Sequence, residues 1–397
     1  MNFKNLKYFN NSLAFYLTLL FILSVFYLFY KHNVANDSTI SEWLINYTGG
    51  FTKRGLIGQS AIYLSRIFDI NLRIAILIEQ ITIIGIYYFL LFFFLKGIFL
   101  NRLYLLVLFS PIFLLYPVYE IETLGRKEIF IFSLYILNLS VLLNKEKYYN
   151  FSKLIIFTLS VLIWEPIIFF LPMWIFIDIM KMKKINLINL FNELIFYVPG
   201  LIIAAIFVFN PLDIIEHSKM ALTLKNEFGE RCYMSCALLK SKSGILVQIT
   251  ANFHAYNFEN IIRYIIIILI GFFPLFSLMN ISSFSNKRVT FSVKSVFIIL
   301  LLPIIFLFLM GYDWGRWVNI TYTITLITFI FLYKKKLIFF EFEKLTNQRL
   351  NKIKSKYFYM IFIIYCFTWS PKTVITDDVG SFPLYRSIYK MIKILIL

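Results

Sequence analysis

Apolar runs of about 16 to 25 residues recur from one end of this 397-residue chain to the other, the length a helix needs to cross bilayer hydrocarbon. A soluble domain could not hide so much apolar surface: 60% of the residues are hydrophobic, 20% aromatic and only 15% charged. The pattern predicts an all-α, polytopic transmembrane helical bundle, a single domain over residues 1–397. The first run, Ser12 to Tyr30, is followed by no small-residue cleavage site and reads as a retained span.

Charge then sets the topology. The net charge of +18 lies mostly in short loops such as Lys181 to Lys184 and Lys334 to Lys336, which marks them as cytoplasmic. With no soluble basic domain, the excess does not point to nucleic acid. Lys4 and Lys7 precede the first span, so the N-terminus is expected in the cytoplasm. Spans are expected near 13–30, 75–98, 103–118, 129–144, 186–209, 262–280, 295–310, 317–333 and 357–369. The stretch 154–180 is flanked by lysines at both ends. A short hairpin turning at Glu165 and Pro166 keeps both clusters on one side, for about eleven membrane segments in all. Two segments, 31–74 and 210–261, become large outer loops, and Ile40 to Ile45, Leu56 to Leu72 and the tail 384–397 are expected as amphipathic surface helices.

Against this background four short charged motifs stand out, all placed at the non-cytoplasmic face: Gly50 to Gly55, Gly125 to Glu128, Trp164 to Pro166 and Asp313 to Trp317. Arginine is normally retained on the cytoplasmic side, so arginines grouped at the other face suggest a site for an anionic ligand. Lys53 and Arg54, flanked by glycines, are suited to a phosphate or pyrophosphate; interfacial snorkelling is the plain alternative. Arg126 and Lys127 offer a second cationic contact, or with Glu128 a salt-bridge network at a helix start.

Glu165, at the turn of a membrane-buried hairpin, is a candidate general base with a pKa raised by burial, or else an ion-pair partner of an arginine. Asp313, Trp314 and Arg316 read either as a sugar platform or as an i,i+3 pair beside an interfacial tryptophan. Glu42 and Trp43, with Asp37, follow the first span closely, and Glu79 and Gln80 could face the same cavity. His217 and Arg231, with Glu230, are further outer-loop candidates. Cys232 and Cys236 could pair, although i,i+4 spacing also arises by chance on a helix, and Cys366 reads as buried packing. His32, His217 and His254 are scattered in sequence, and no metal site is expected.

Three segments carry a resemblance: Gly-Phe-Thr-Lys-Arg-Gly-Leu-Ile-Gly after the first span, Ile-Trp-Glu-Pro-Ile-Ile-Phe-Phe-Leu-Pro at Ile163 to Pro172, and Gly-Tyr-Asp-Trp-Gly-Arg-Trp at Gly311 to Trp317. With its outer loops, the chain resembles the bacterial O-antigen or capsule repeat-unit polymerases of the Wzy type. That resemblance implies an inner-membrane glycosyltransferase acting at the periplasmic face on undecaprenyl-pyrophosphate-linked glycans, with a chain-length regulator as a further partner. Arg54, Arg126 and Arg316 would stabilise the departing pyrophosphate, and Glu165 or Asp313 would take the acceptor's proton. It implies no metal and no cofactor. Two other readings stand beside it: a C-type, polyprenyl-phosphate-sugar-dependent glycosyltransferase with Glu42 or Asp37 as its acid, and a lipid-linked oligosaccharide flippase.

Overall fold

Side-chain caps and prolines cut the chain into helices. The computed structural model describes residues 3–32, 38–98, 101–182, 186–240, 249–250, 252–285, 290–341 and 352–396. Asn71, Asn186, Asn257 and Ser292 each accept a backbone N–H at a helix start, and Asp213 and Glu216 form a reciprocal capping box on Ile214–Phe228. Six helical segments among the described residues are long and apolar enough to cross a membrane: Leu6–His32, Leu72–Leu95, Leu187–Phe209, Phe258–Asn280, Val293–Met310 and Trp314–Lys334. Glu128–Asn144 and Ser355–Phe367 are shorter apolar helices. Together they make an all-α membrane bundle; the only strands described are two short antiparallel pairs, Ser282–Phe284 with Ile338–Phe340 and Trp369–Ser370 with Gly380–Ser381.

The expected span at 103–118 is not one helix. It is Arg102–Leu108, a turn through Ser110 and Pro111, and the short helix Leu115–Tyr119. Pro111 cannot continue the helix, and Asn319 Nδ2 donates to the exposed carbonyls of Ile112 and Phe113 at 2.9 Å each. Pro303 likewise introduces a 3-10 turn, Leu302–Ile304, within the segment 293–310.

The stretch 154–180 does fold back on itself. Lys153, near the start of Tyr149–Ile163, places its Nζ 2.9 Å from Asp178 Oδ2, near the end of Leu171–Lys181. Glu193 completes the cluster, accepting from Lys153 at 2.6 Å and from Lys181 at 2.8 Å, and Tyr197 donates to Asp178 at 2.6 Å. The two helix ends are thus joined beside the lysine-rich loops, and Glu165 sits at the opposite end, at the bend.

The helix Trp314–Lys334 runs through the middle of the bundle, with Gly315 to Leu332 buried without a break. It is the least apolar of the six segments and carries Asn319, Thr321, Thr323, Thr325 and Thr328, because its neighbours are protein rather than lipid. Ile40 to Ile45 does not lie on a surface. It is buried, tucked under the loop end of the bundle, while Gly55–Phe68 does leave Tyr63, Ile67 and Phe68 exposed. The tail helix Pro383–Ile396 packs on the first helix, where Tyr27 Oη donates to the Ser387 carbonyl.

Removing one partner of the Lys153–Asp178–Glu193 cluster strands a charge in a dry site, at a cost of about 3–5 kcal/mol. Asp178→Asn should therefore lower the thermal unfolding midpoint in detergent markedly. The double substitution Lys153→Met with Asp178→Leu, which leaves Glu193 paired to Lys181, should recover much of the loss.

Candidate functional site

The first loop is folded inward by polar contacts from two other segments. Gln80 Nε2 donates to the carbonyls of Thr39 and Gly125 at 3.0 Å each, while its Oε1 lies 2.8 Å from His32 Nε2. The Trp43 indole donates to that same Gly125 carbonyl. Gly125 packs flush against Thr39, where a Cβ would stand 2.7 Å from the threonine Cβ. These contacts draw Arg126, Lys127 and Glu128 beneath Glu42.

Arg54 occupies the left-handed region at φ 63°, ψ 8°, a conformation that costs a non-glycine residue about 1 kcal/mol. Lys127 Nζ donates to the Arg54 carbonyl and fixes it there. Gly55, immediately after, lies against the Tyr47 ring so closely that a Cβ would be 2.2 Å from it. Gly55 and Gly125 therefore let protein segments approach one another closely.

The charged groups form one network. Glu42 Oε1 accepts from Arg126 Nη1 at 2.7 Å, Arg54 Nη1 at 3.3 Å and Arg316 Nη2 at 3.4 Å. Arg54 also grips Glu165 with two bonds of 2.9 and 3.0 Å, and Lys53 Nζ lies 3.9 Å from the same carboxylate. Arg316 reaches Glu128 with Nε at 2.9 Å and Asp313 with Nη1 at 3.2 Å. Five cations thus meet four carboxylates, leaving one net positive charge (Lys53, Arg54, Arg126, Lys127 and Arg316 against Glu42, Glu128, Glu165 and Asp313).

Burial alone would raise the Glu42 carboxyl, but Arg126, Arg316, Arg54 and Lys127 together hold it well below the ordinary carboxylate range. Glu165 follows the same balance: burial raises it, while Arg54 and Lys53 win and bring it down. The expectation of a raised Glu165 is thereby corrected. Burial pushes Lys127 the other way, down to about 8.

Beside this network lies a cavity of about 460 Å³, lined by Glu42, Lys53, Arg54, Arg126, Asp313 and Arg316 among others. Lys53 is its most exposed cation, with 38% of the side chain open, and Asp313 its most exposed carboxylate, at 25%. Glu165 stands one layer back, behind Arg54, and Lys127 is fully buried; neither lines the cavity. Trp43 is a buried brace. Trp314 points away, donating to the Phe308 carbonyl at 2.8 Å and packing on Tyr264, while its neighbour Trp317 takes the place by the cavity. Arg231 is exposed and outside the cavity lining, Glu79 bonds to Ser60 at 2.5 Å, and Asp37 lies outside the described residues.

The second outer loop supplies residues that spacing did not single out. Cys232 and Cys236 are joined in a disulfide, and the turn between them puts Met234 and Ser235 into the cavity wall. Ser235 Oγ accepts from Ser41 at 3.0 Å and from Arg126 at 3.4 Å. His217 stands behind, its Nε2 3.1 Å from the Cys236 carbonyl and 3.5 Å from Cys232 Sγ. The ligand atoms of His217, Cys232 and Cys236 lie within 4.8 Å of one another, a grouping hidden in the sequence, but the disulfide engages both sulfurs. Arg73 to Glu230 at 2.5 Å and Arg66 to Glu227 at 2.6 Å clasp this loop to the helices of the first loop.

Lys127 gives a pH test. Its folded pKa of about 8 lies below the ordinary lysine value of 10.5, so the folded state sheds a proton that the unfolded chain still holds between those values. Stability relative to Lys127→Met should rise with pH from about 8 toward 10.5 and be lost as pH falls through 8. Thermal unfolding of both proteins at stepped pH measures the difference. Comparison with family models, curated proteins and solved structures finds no match to this chain.

Proposed function

We propose that this protein is a membrane glycosyltransferase that joins lipid-linked oligosaccharide units, with its chemistry in the cavity between Glu42, Arg126, Asp313 and Arg316. The observation that carries the reading is the convergence of charged motifs from distant chain segments on one cavity at the loop end of an apolar bundle. Such a site suits a ligand with a strongly anionic head and a hydrocarbon tail, and a polyprenyl pyrophosphate carrying a glycan has both. In this reading the loop end faces the periplasm and the lysine-rich end the cytoplasm.

The acceptor's sugar hydroxyl would attack the anomeric carbon of the donor glycan. A new glycosidic bond forms there as the bond from that carbon to the pyrophosphate oxygen breaks. Asp313 is the best-placed base, since it lines the cavity, is partly open and holds a single arginine. Lys53, Arg126 and Arg316 would take up the charge that develops on the leaving pyrophosphate. Glu165 and Glu42, each already committed to cations, would act by aiming those cations rather than by moving protons.

A deletion strain tests the reading. It should accumulate lipid carrying a single repeat unit, whereas a full-length ladder lacking one sugar would show a side-branch transferase, and lipid-linked units trapped inside would show a flippase. With purified protein and lipid-linked substrate, Asp313→Asn should slow chain extension by about 10²–10⁴-fold with little change in substrate binding. Full extension by that variant would remove Asp313 from the mechanism.

A further inference from the structure

A second concavity, of about 510 Å³, opens between the helices Phe258–Asn280 and Ser355–Phe367, away from the charged cavity. Its walls are Ile266, Ile267 and Ile270 on one helix and Ile361, Ile364 and Tyr365 on the other. At its floor the Tyr365 hydroxyl is tied to the Gly271 carbonyl at 3.0 Å, so the groove presents hydrocarbon and no free polar group from that ring. Ile266, Ile270 and Ile364 are each about half exposed, an unpartnered apolar strip on the outside of the bundle. Bilayer hydrocarbon covers such a strip.

The rim selects the headgroup. Arg263 lies at the loop end of the groove with its side chain 20% exposed, donating to the Asp377 carbonyl at 2.9 Å and to Glu259 at 3.2 Å. Its guanidinium also lies 3.5 Å from the Asp378 carboxylate, so a lipid phosphate would take it over from Glu259 and Asp378 while the ammonium takes those acids. Glu259 is 82% and Asp378 96% exposed, and Asp377 beside them is exposed too. A cation therefore sits deep and acids sit further out. A phosphoethanolamine headgroup has the opposite order, phosphate nearest the acyl chains and ammonium beyond it, whereas a purely anionic headgroup would meet the acids with like charge.

We propose that this groove is a phospholipid site specific for an ammonium-bearing headgroup, with one acyl chain between the two isoleucine strips, the phosphate on Arg263 and the ammonium on Glu259, Asp377 and Asp378. The site also touches the charged cavity's scaffold. Ile267 and Tyr264 pack with Ile375, whose N–H donates 2.8 Å to the carbonyl of Tyr312 in that cavity's wall. An occupied groove thus braces the turn that carries Asp313.

Titration of the full-length protein in detergent with dioleoyl phosphatidylethanolamine or dioleoyl phosphatidylglycerol, reading the unfolding midpoint, tests the site. The ethanolamine lipid should stabilise at lower mole fraction, by about fivefold for each charge it no longer opposes. Glu259→Lys with Asp377→Lys and Asp378→Lys, all exposed, should reverse the preference, and Ile364→Trp, which fills the groove, should abolish stabilisation by both lipids. Equal stabilisation of the wild-type protein by the two lipids, or a preference that survives the rim reversal, overturns the proposal.

Discussion

One carboxylate oxygen, Oε1 of Glu42, receives guanidinium groups from three segments that are far apart in sequence. Arg54 comes from the first loop, Arg126 from the turn before Glu128–Asn144, and Arg316 from the start of the central helix. Each of these cations is costly to bury, and each becomes tolerable through partners that the others share. Arg54 passes the connection on to Glu165 and so to the bend of the hairpin, while Arg316 passes it to Glu128 and Asp313. The loop end of the bundle is therefore held by a chain of charge pairs, as the far end of the hairpin is by Lys153, Asp178 and Glu193.

The same arrangement governs what the cavity can accept. The four cations of its lining are already held by carboxylates in and behind the wall, so a multiply charged anion must compete with internal partners. Lys53 is the exception, more open and only loosely held by Glu165. This favours selectivity over raw affinity, because only a ligand that also fits the walls can offset the ion pairs it loosens.

Much of this was legible in the sequence, and the illegible part has clear causes. Hydrophobic run length gave the membrane bundle, and the positions of lysines gave the fold-back at Glu165. The four charged motifs were identifiable because charge is rare in such a chain. Their pairing was not, since Glu42 meets Arg316 across 274 positions and no local pattern encodes that. Trp314 and Trp317 could not be told apart by composition, because which tryptophan faces the cavity depends on the rotation of the helix start. Ser235 and Met234 were hidden for a related reason, as only the disulfide and the Arg73–Glu230 clasp bring their turn to the wall. The break at Pro111 was visible as a residue but was outweighed by the apolar run around it.

The enclosed central helix has a consequence for how the protein is made. Trp314–Lys334 is synthesised after most of the segments that enclose it, and from it Asn319 donates to the Ile112 and Phe113 carbonyls while Thr328 bonds to Tyr135. A helix of this kind gains little from lipid alone. The charged network at its start, whose other members Glu42, Arg54, Arg126 and Glu128 lie earlier in the chain, is therefore complete only when this helix has joined them.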